Sequence, residues 1–205
     1  IEEHLNETVF YANANGISNL HFTISEAHQI LFEDILSAIQ SKIEEKHNTK
    51  IIVDFSFQNS NTDTIALDSE LNFCKDENDN LVFRPAGHGA LINNLNQLDA
   101  DVVFIKNIDN VSQNHIESIT LYKKALAGIL IELQKEIFRI LSQIDSNAIA
   151  ESDFKNIIPF IQSKLNYAIN DDFDKYTFEN KCNYVKEILN RPIRVCGMVK
   201  NEGEP

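Results

Sequence analysis

The strongest constraint on the fold is a strand, a helix and a second strand in the first third of the chain. Residues 20–24 (LHFTI) combine β-branched and aromatic residues and predict a strand. Ser25 is the expected N-cap of a helix whose apolar positions recur at helical spacing to about residues 47–48. Residues 50–57 (KIIVDFSF) are a continuous apolar run with one acid, typical of a strand covered on both faces. The pattern therefore predicts an α/β sheet.

Further elements follow from the same kinds of pattern. Short strands are expected at residues 64–67, 71–73 and 101–105 (DVVFI), with a helix over 90–98 before the last of these. Beyond residue 111 the periodicity is helical, and the expected helices cover 112–144, 151–167 and 176–189. After Arg191-Pro192 the pattern returns to that of a strand, over 193–199 (IRVCGMV).

These elements predict a domain organisation. We expect a partial α/β domain over 1–111, a helical insertion over 112–190 and a return strand within 191–205. The chain starts without methionine and stops directly after the return strand, so we also expect it to be part of something longer.

Composition excludes several function classes. The chain has 205 residues and a net charge of −13, which argues against a broad surface for nucleic acid or anionic membranes. A mononucleotide needs only local donors and is compatible with this charge. Cys74, Cys182 and Cys196 are scattered and have no metal-ligand spacing, so a reducing cytoplasm is expected. No apolar run approaches the roughly 20 residues that a membrane helix needs.

The first candidate site is the loop Gly87-His88-Gly89. Pro85 stiffens the entry to this loop, and the glycines remove side chains where the backbone turns sharply or approaches a ligand. A helix that starts after the loop would direct free N–H groups toward an anion or a base edge. The alternative is a tight loop before a helix, with His88 structural or exposed.

The second candidate site is the amide and acid cluster Asn107, Asp109 and Asn110, which follows the expected strand at 101–105. A carboxylate at the carboxyl end of a parallel strand commonly ligates Mg²⁺ or accepts hydrogen bonds from substrate hydroxyls. The alternative is an Asx turn that caps the next helix, with Asn110 or Ser112 as N-cap. If residues 83–111 form one βαβ-type unit, both loops converge at one edge of a parallel sheet.

The order of these motifs carries a resemblance. The segments PAGHGALINNL and VVFIKNIDNV resemble the central motifs of UDP-sugar pyrophosphorylases, a Pro-x-Gly-His-Gly loop followed by a strand that ends Asn-x-Asp-Asn. Most of residues 19–205 is also similar to an uncharacterised family of bacterial proteins placed near those enzymes, through the HFTIS strand, the Thr-Asp-Thr-Ile segment and the RPIRVCGMVKNEGEP tail.

The resemblance implies a GT-A-like nucleotidyltransferase fold, that is, a Rossmann-like, mixed, mostly parallel sheet with a helical insertion. It implies a nucleotide-sugar-binding module of the enzymes that join a sugar-1-phosphate to a nucleoside triphosphate with Mg²⁺. By the same resemblance Gly87, His88 and Gly89 would contact the nucleotide, Asn107, Asp109 and Asn110 the sugar, and Asp109 the metal. Asp63, Lys200 and Glu202 are weaker candidates, for which a plain turn or solvated terminal charges are the alternatives.

One departure leaves the activity open. The glycine-rich basic loop with which these enzymes cradle the triphosphate has no counterpart before Phe83. We therefore expect a module that is incomplete in this chain, or alternatively a non-catalytic binding or regulatory scaffold that keeps the fold.

Overall fold

A computed structural model describes residues 1–108, 114–198 and Gly203. It consists of two compact units, Ile1–Thr120 and Leu121–Pro205. Within the described ranges the fold is mixed α/β, with small sheets and six helices. The helices are α1 (Glu2–Tyr11), α2 (Gln29–His47), α3 (Ile92–Asn96), α4 (Ile116–Asp145), α5 (Phe154–Lys164) and α6 (Phe178–Leu189). The strands are β1 (Asn13–Ala14), β2 (Ile17–Ile24), β3 (Lys50–Phe57), β4 (Thr64–Ile65) and β5 (Phe83–Arg84).

The sheet of the first unit is built on a parallel strand pair. β2 and β3 pair in parallel from Ile17↔Lys50 to Ile24↔Phe57, and the short β1 adds to β2 in antiparallel orientation. The helix α2 makes the crossover that parallel neighbours require. The predicted strand, helix and strand are therefore confirmed, and β2–α2–β3 is a βαβ unit.

The apolar core of this sheet lies on one face. Leu5 of α1 and Leu36 and Ile43 of α2 pack on Ile51 of β3 as one buried cluster. On the opposite face Ile52 remains 37% exposed. The prediction that β3 is covered on both faces is wrong at Ile52, because both α1 and α2 pack on the same side of the sheet. On the opposite face Asn94 of α3 reaches Ser56, near the carboxyl end of β3.

Residues 64–84 form a separate antiparallel module. β4 pairs with β5, and bridges join Leu67 to Phe73 and Lys75 to Leu81. The expected short strands are thus present in part, but β5 is antiparallel and leads directly into the Pro85 loop. The described residues 83–108 consequently form no βαβ unit, contrary to the sequence interpretation.

The predicted strand at 101–105 is also wrong, because residues 102–107 belong to no strand. The segment instead lies along α1, where the ring of Phe104 contacts that of Tyr11 with a centroid distance of 4.8 Å. Contacts to a helix leave the main chain of the segment outside any β-ladder.

The second unit is helical, as predicted. Ile140 of α4, Ile161 of α5 and Val185 of α6 are completely buried in one cluster. Ile193 is partly buried against the same cluster. Residues 192–198 form no strand, so the prediction of a return strand is wrong for its described part.

The boundaries proposed for the three domains stay a prediction. None of the described helices is long and apolar enough to cross a membrane.

The one-sided packing of β3 can be tested on two adjacent isoleucines. Ile51→Ala empties a site that is 1% exposed and should lower the free energy of unfolding by about 2–5 kcal/mol. Ile52→Ala, on the uncovered face, should cost less than about 1 kcal/mol. Urea unfolding followed by circular dichroism measures both. Equal losses would show that the second face of β3 is also packed.

Candidate functional site

The Gly87-His88-Gly89 loop lies at the carboxyl end of β3, where Gln58 holds its entrance. Gln58 follows β3 directly, and its side-chain amide donates to the carbonyl of Ala86 at 3.2 Å and accepts from the N–H of Ala86 at 2.8 Å. The reverse amide orientation would make only a 3.3 Å bond to Asp63 Oδ1 and would leave both main-chain groups of Ala86 without this partner. The Gln58 side chain thereby bonds Ala86 in the way that a neighbouring strand would, through both its N–H and its carbonyl.

A second anchor lies behind the loop, on α3. The buried Asn94 donates from Nδ2 to Ser56 Oγ and to the carbonyl of Phe57, both at 2.8 Å. On the same face of the sheet His21 Nε2 lies 2.8 Å from Ser56 Oγ, and Thr23 Oγ1 lies 3.3 Å from it. This network of β2, β3 and α3 fixes the segment that follows the loop against the strand ends.

Sequence reasoning missed Asn94, although a signal for it is present. Leu91, Leu95 and Leu98 mark an apolar stripe, and Asn94 stands at the i+3 position of that stripe. An amide among core-facing positions predicts a buried side chain that needs hydrogen-bond partners. Ser56 and the carbonyl of Phe57 are those partners.

The glycines of the loop are not explained by the fold of the described residues. Gly87 and Gly89 are exposed and neither has a positive φ. A Cβ added to either of them would meet no described atom within 4 Å. Both positions could therefore carry a side chain without strain. The described fold does not explain why glycine occupies them.

The local helix differs from its prediction. A 3₁₀ turn covers His88–Leu91 and closes with a bond from Ala90 N–H to the carbonyl of Gly87 at 3.0 Å. The α-helical part, α3, has only five residues. The helix predicted over 90–98 is thus shorter, and its first turn includes His88 and Gly89, so the loop does not stand apart in front of a helix N-terminus.

Asp63 is the weaker candidate that the structure places next to this loop. It is half-buried, ends the 3₁₀ turn Ser60–Thr62 and directly precedes β4. Because Thr64 of β4 pairs with Arg84 of β5, Asp63 stands beside the entrance to the Pro85 loop. Its position there is compatible with a ligand contact.

Asn107 lies between two residues that contact α1 and has no hydrogen bond to residues 87–89 within the described chain. Its neighbour Lys106 contacts both carboxylate oxygens of Glu7, at 2.8 and 2.7 Å. His4 Nε2 lies 2.8 Å from the carbonyl oxygen of Ile108. Asn107 itself is exposed. The remaining predicted residues Asp109, Asn110, Lys200 and Glu202 lie outside the described residues.

Burial shifts the pKa of two side chains on α1, His4 and Tyr11. Burial lowers the pKa of His4, as do the positive charges of the N-terminus and Lys106, against the opposing effects of the hydrogen bond to Ile108 and the charge of Glu7. Burial, followed by the charge and hydrogen bond of Glu7, raises the pKa of Tyr11. In the part of the chain that the structure describes, no three or more His, Cys, Asp or Glu side chains form a group that could hold a metal ion.

Comparison with known proteins gives the family. A family model described as Domain of unknown function (DUF4301) matches residues 1–205. The chain belongs to this family. The resemblance to an uncharacterised family is thereby confirmed. No curated protein and no solved structure matches the chain.

The two anchors of the loop can be separated from general surface effects. Asn94→Ala leaves Ser56 and the carbonyl of Phe57 without their donor and should cost about 1–3 kcal/mol in urea unfolding. Amide exchange of residues 86–91 should become faster. The exposed neighbour Asn93 supplies the control, because Asn93→Ala should change neither quantity. A loop whose exchange is unchanged in Asn94→Ala would contradict the anchoring role.

Stability should depend on pH through His4. Because the folded state lowers the His4 pKa below its ordinary 6.5, the unfolded chain binds the proton more readily. The free energy of unfolding should therefore fall as pH drops from about 7 to about 5. His4→Gln should make this fall shallower, while the lowered pKa of His47 retains a part of it. Urea unfolding at several pH values measures the slope, and an unchanged slope would exclude His4 as a source.

Proposed function

We propose that the chain is a nucleotide-sugar-binding module with a GT-A-like, Rossmann-type fold, related in its site to UDP-sugar pyrophosphorylases. The observation that carries the proposal is the exposed Gly87-His88-Gly89 loop, whose glycines the described fold does not require. Nucleotide binding gives these glycines a reason, because a bare backbone lets a base or phosphate approach its N–H groups closely.

The position of the loop supports the same proposal. Open α/β sheets bind ligands outside the carboxyl ends of their parallel strands. Gln58 and Asn94 hold the loop at that end of β3, the strand that pairs in parallel with β2. The loop is anchored on both sides while its own surface remains exposed, which suits a rigid contact for a small ligand.

The sugar and the metal belong to the second half of the proposal. Asn107, Asp109 and Asn110 would bind sugar hydroxyls, since amides offer donors and acceptors together. Mg²⁺ usually takes one or two carboxylates and completes its shell with phosphate oxygens and water. By the resemblance to the pyrophosphorylases, Asp109 would be the carboxylate that holds the ion, and the ion would neutralise phosphate charge. Asp63, Lys200 and Glu202 are secondary candidates for ligand contacts.

A specific observation favours a binding scaffold as the second candidate. Gly16 is the single glycine before Phe83, and it serves the turn between β1 and β2 with a φ of +77°. Residues 1–83 thus contain no glycine-rich segment that could cradle a triphosphate. A module that binds a nucleotide sugar without transferring a nucleotidyl group is consistent with this.

Thermal denaturation with UTP, other nucleoside triphosphates and UDP-sugars, each with Mg²⁺, tests the binding. A ligand that binds only the folded state at 100 times its Kd adds about 2.7 kcal/mol, so the melting temperature should rise by several degrees. The double variant Gly87→Ala, Gly89→Ala should fold normally, because the added methyl groups meet no described atom. Its affinity should fall at least about tenfold, or about 1.4 kcal/mol. Asp109→Ala should reduce the response to UDP-sugars.

The matched control is Gly128→Ala on α4, where an added Cβ also meets nothing within 4 Å. It should leave ligand binding unchanged. The proposal fails if no nucleotide or nucleotide sugar stabilises the protein, or if the two loop alanines leave the response intact. Pyrophosphate release from UTP and a sugar-1-phosphate separates the enzyme from the scaffold, since only the enzyme should produce it.

A further inference from the structure

We propose that α1 positions the sugar side of the site, with Glu7 acting through Lys106 to fix the main chain at Asn107. The inference rests on the proposed function and adds to it a set of positioning residues far from the Gly87-His88-Gly89 loop in sequence. Neither Glu7 nor Lys106 needs to touch the ligand in this arrangement.

The first observation is a buried ion pair. The side chain of Glu7 is 2% exposed and that of Lys106 is 20% exposed, and both carboxylate oxygens lie within hydrogen-bond distance of Lys106 Nζ. The hydroxyl of Tyr11 donates to Glu7 Oε1 at 3.2 Å. Such a pair holds its partners firmly, because either charge left alone in a buried place is strongly unfavourable.

The second observation is that α1 contacts alternate residues of the segment 104–108. Phe104 contacts the ring of Tyr11, Lys106 pairs with Glu7, and the carbonyl of Ile108 contacts His4. His4, Glu7 and Tyr11 recur at i, i+3 and i+7 and therefore share one face of α1. Three contacts at matching spacing fix the position of residues 104–108 along α1.

The third observation is where this register leaves Asn107. The residues between the three contact points are exposed, with Ile105 at 70% and Asn107 also exposed. The contacts of Lys106 and Ile108 with α1 fix the main chain on both sides of Asn107. Its exposed side chain is therefore directed away from α1. Because the main chain at Asn107 is already ordered, less conformational entropy is lost when its amide binds a sugar hydroxyl.

The test measures the contribution of the sugar separately from that of the nucleotide. Isothermal titration with UDP and with UDP-glucose or UDP-N-acetylglucosamine, all with Mg²⁺, gives the ratio of the two Kd values for each variant. Glu7→Gln and Lys106→Met should reduce the gain that the sugar provides by tenfold or more. The Kd for UDP, which the Gly87-His88-Gly89 loop sets, should stay within twofold. Lys106→Arg keeps the ion pair and should retain most of the sugar contribution.

Backbone order parameters of residues 103–108 from ¹⁵N relaxation give a readout that needs no ligand, because they report how firmly the main chain is held. They should fall in Glu7→Gln and Lys106→Met and be retained in Lys106→Arg. Lys181→Met removes an ion pair to Glu151 in the helical unit and is the matched control, which should change neither the order parameters at 103–108 nor the sugar contribution. If a single substitution prevents folding, the double variant Glu7→Gln, Lys106→Gln removes both charges together and leaves no buried charge unpaired.

The outcomes distinguish the two proposals. Wild-type protein that binds neither UDP nor a UDP-sugar overturns the proposed function and this inference with it. Wild-type protein that binds both, with a sugar contribution unaffected by Glu7→Gln and Lys106→Met, overturns only the inference. An equal loss of affinity for UDP and UDP-sugar would also overturn it, because the ion pair would then support the fold in general.

Discussion

The parallel pairing of β2 with β3 is the constraint on which the rest of the first unit depends. Parallel neighbours cannot be joined by a tight turn, so α2 must cross over one face of the sheet. Leu36 and Ile43 of α2 then bury Ile51, and α1 completes the same cover through Leu5. The pairing also brings the carboxyl ends of both strands to one end of the sheet, from which the polar segment that begins at Gln58 continues.

Polar contacts hold the carboxyl end of the strands on the face opposite the apolar core. Ser56 at the end of β3 joins His21 and Thr23 of β2 to Asn94 of α3. Gln58, two residues further along, satisfies both main-chain groups of Ala86. A main chain outside a helix or ladder still needs partners for its N–H and C=O groups, and here side-chain amides provide them. The loop can therefore be both ordered and exposed.

A different solution holds residues 104–108. Their pattern is that of a strand, yet they lie along a helix and are fixed by a ring contact, a buried ion pair and a carbonyl contact. Lys106 thereby has its charge neutralised by Glu7 within the fold, which leaves Asn107 as the outward polar group. The two candidate segments, residues 87–89 and Asn107, are thus supported by separate parts of the unit, one by the end of the sheet and the other by α1.

The sequence by itself determined the elements whose pattern is local. Helical periodicity predicted α2, α4, α5 and α6, and β-branched runs predicted β2 and β3. The glycines at 87 and 89 marked a loop before a helical segment, which is present as a 3₁₀ turn and α3. These features depend on residues within a few positions of one another, so periodicity and turn chemistry suffice to find them.

Only the tertiary structure decided which surface each element meets. Alternation at residues 101–108 fixes which side chains share a side, but it does not specify whether a strand or a helix lies opposite them. The partner of Lys106 is Glu7, 99 residues away, and no local pattern can select it. The same holds for Asn94, whose place in an apolar stripe predicts burial but not its bond to Ser56. Long-range partners are chosen by the packing of the whole unit, because burial stabilises any arrangement that satisfies the enclosed polar groups.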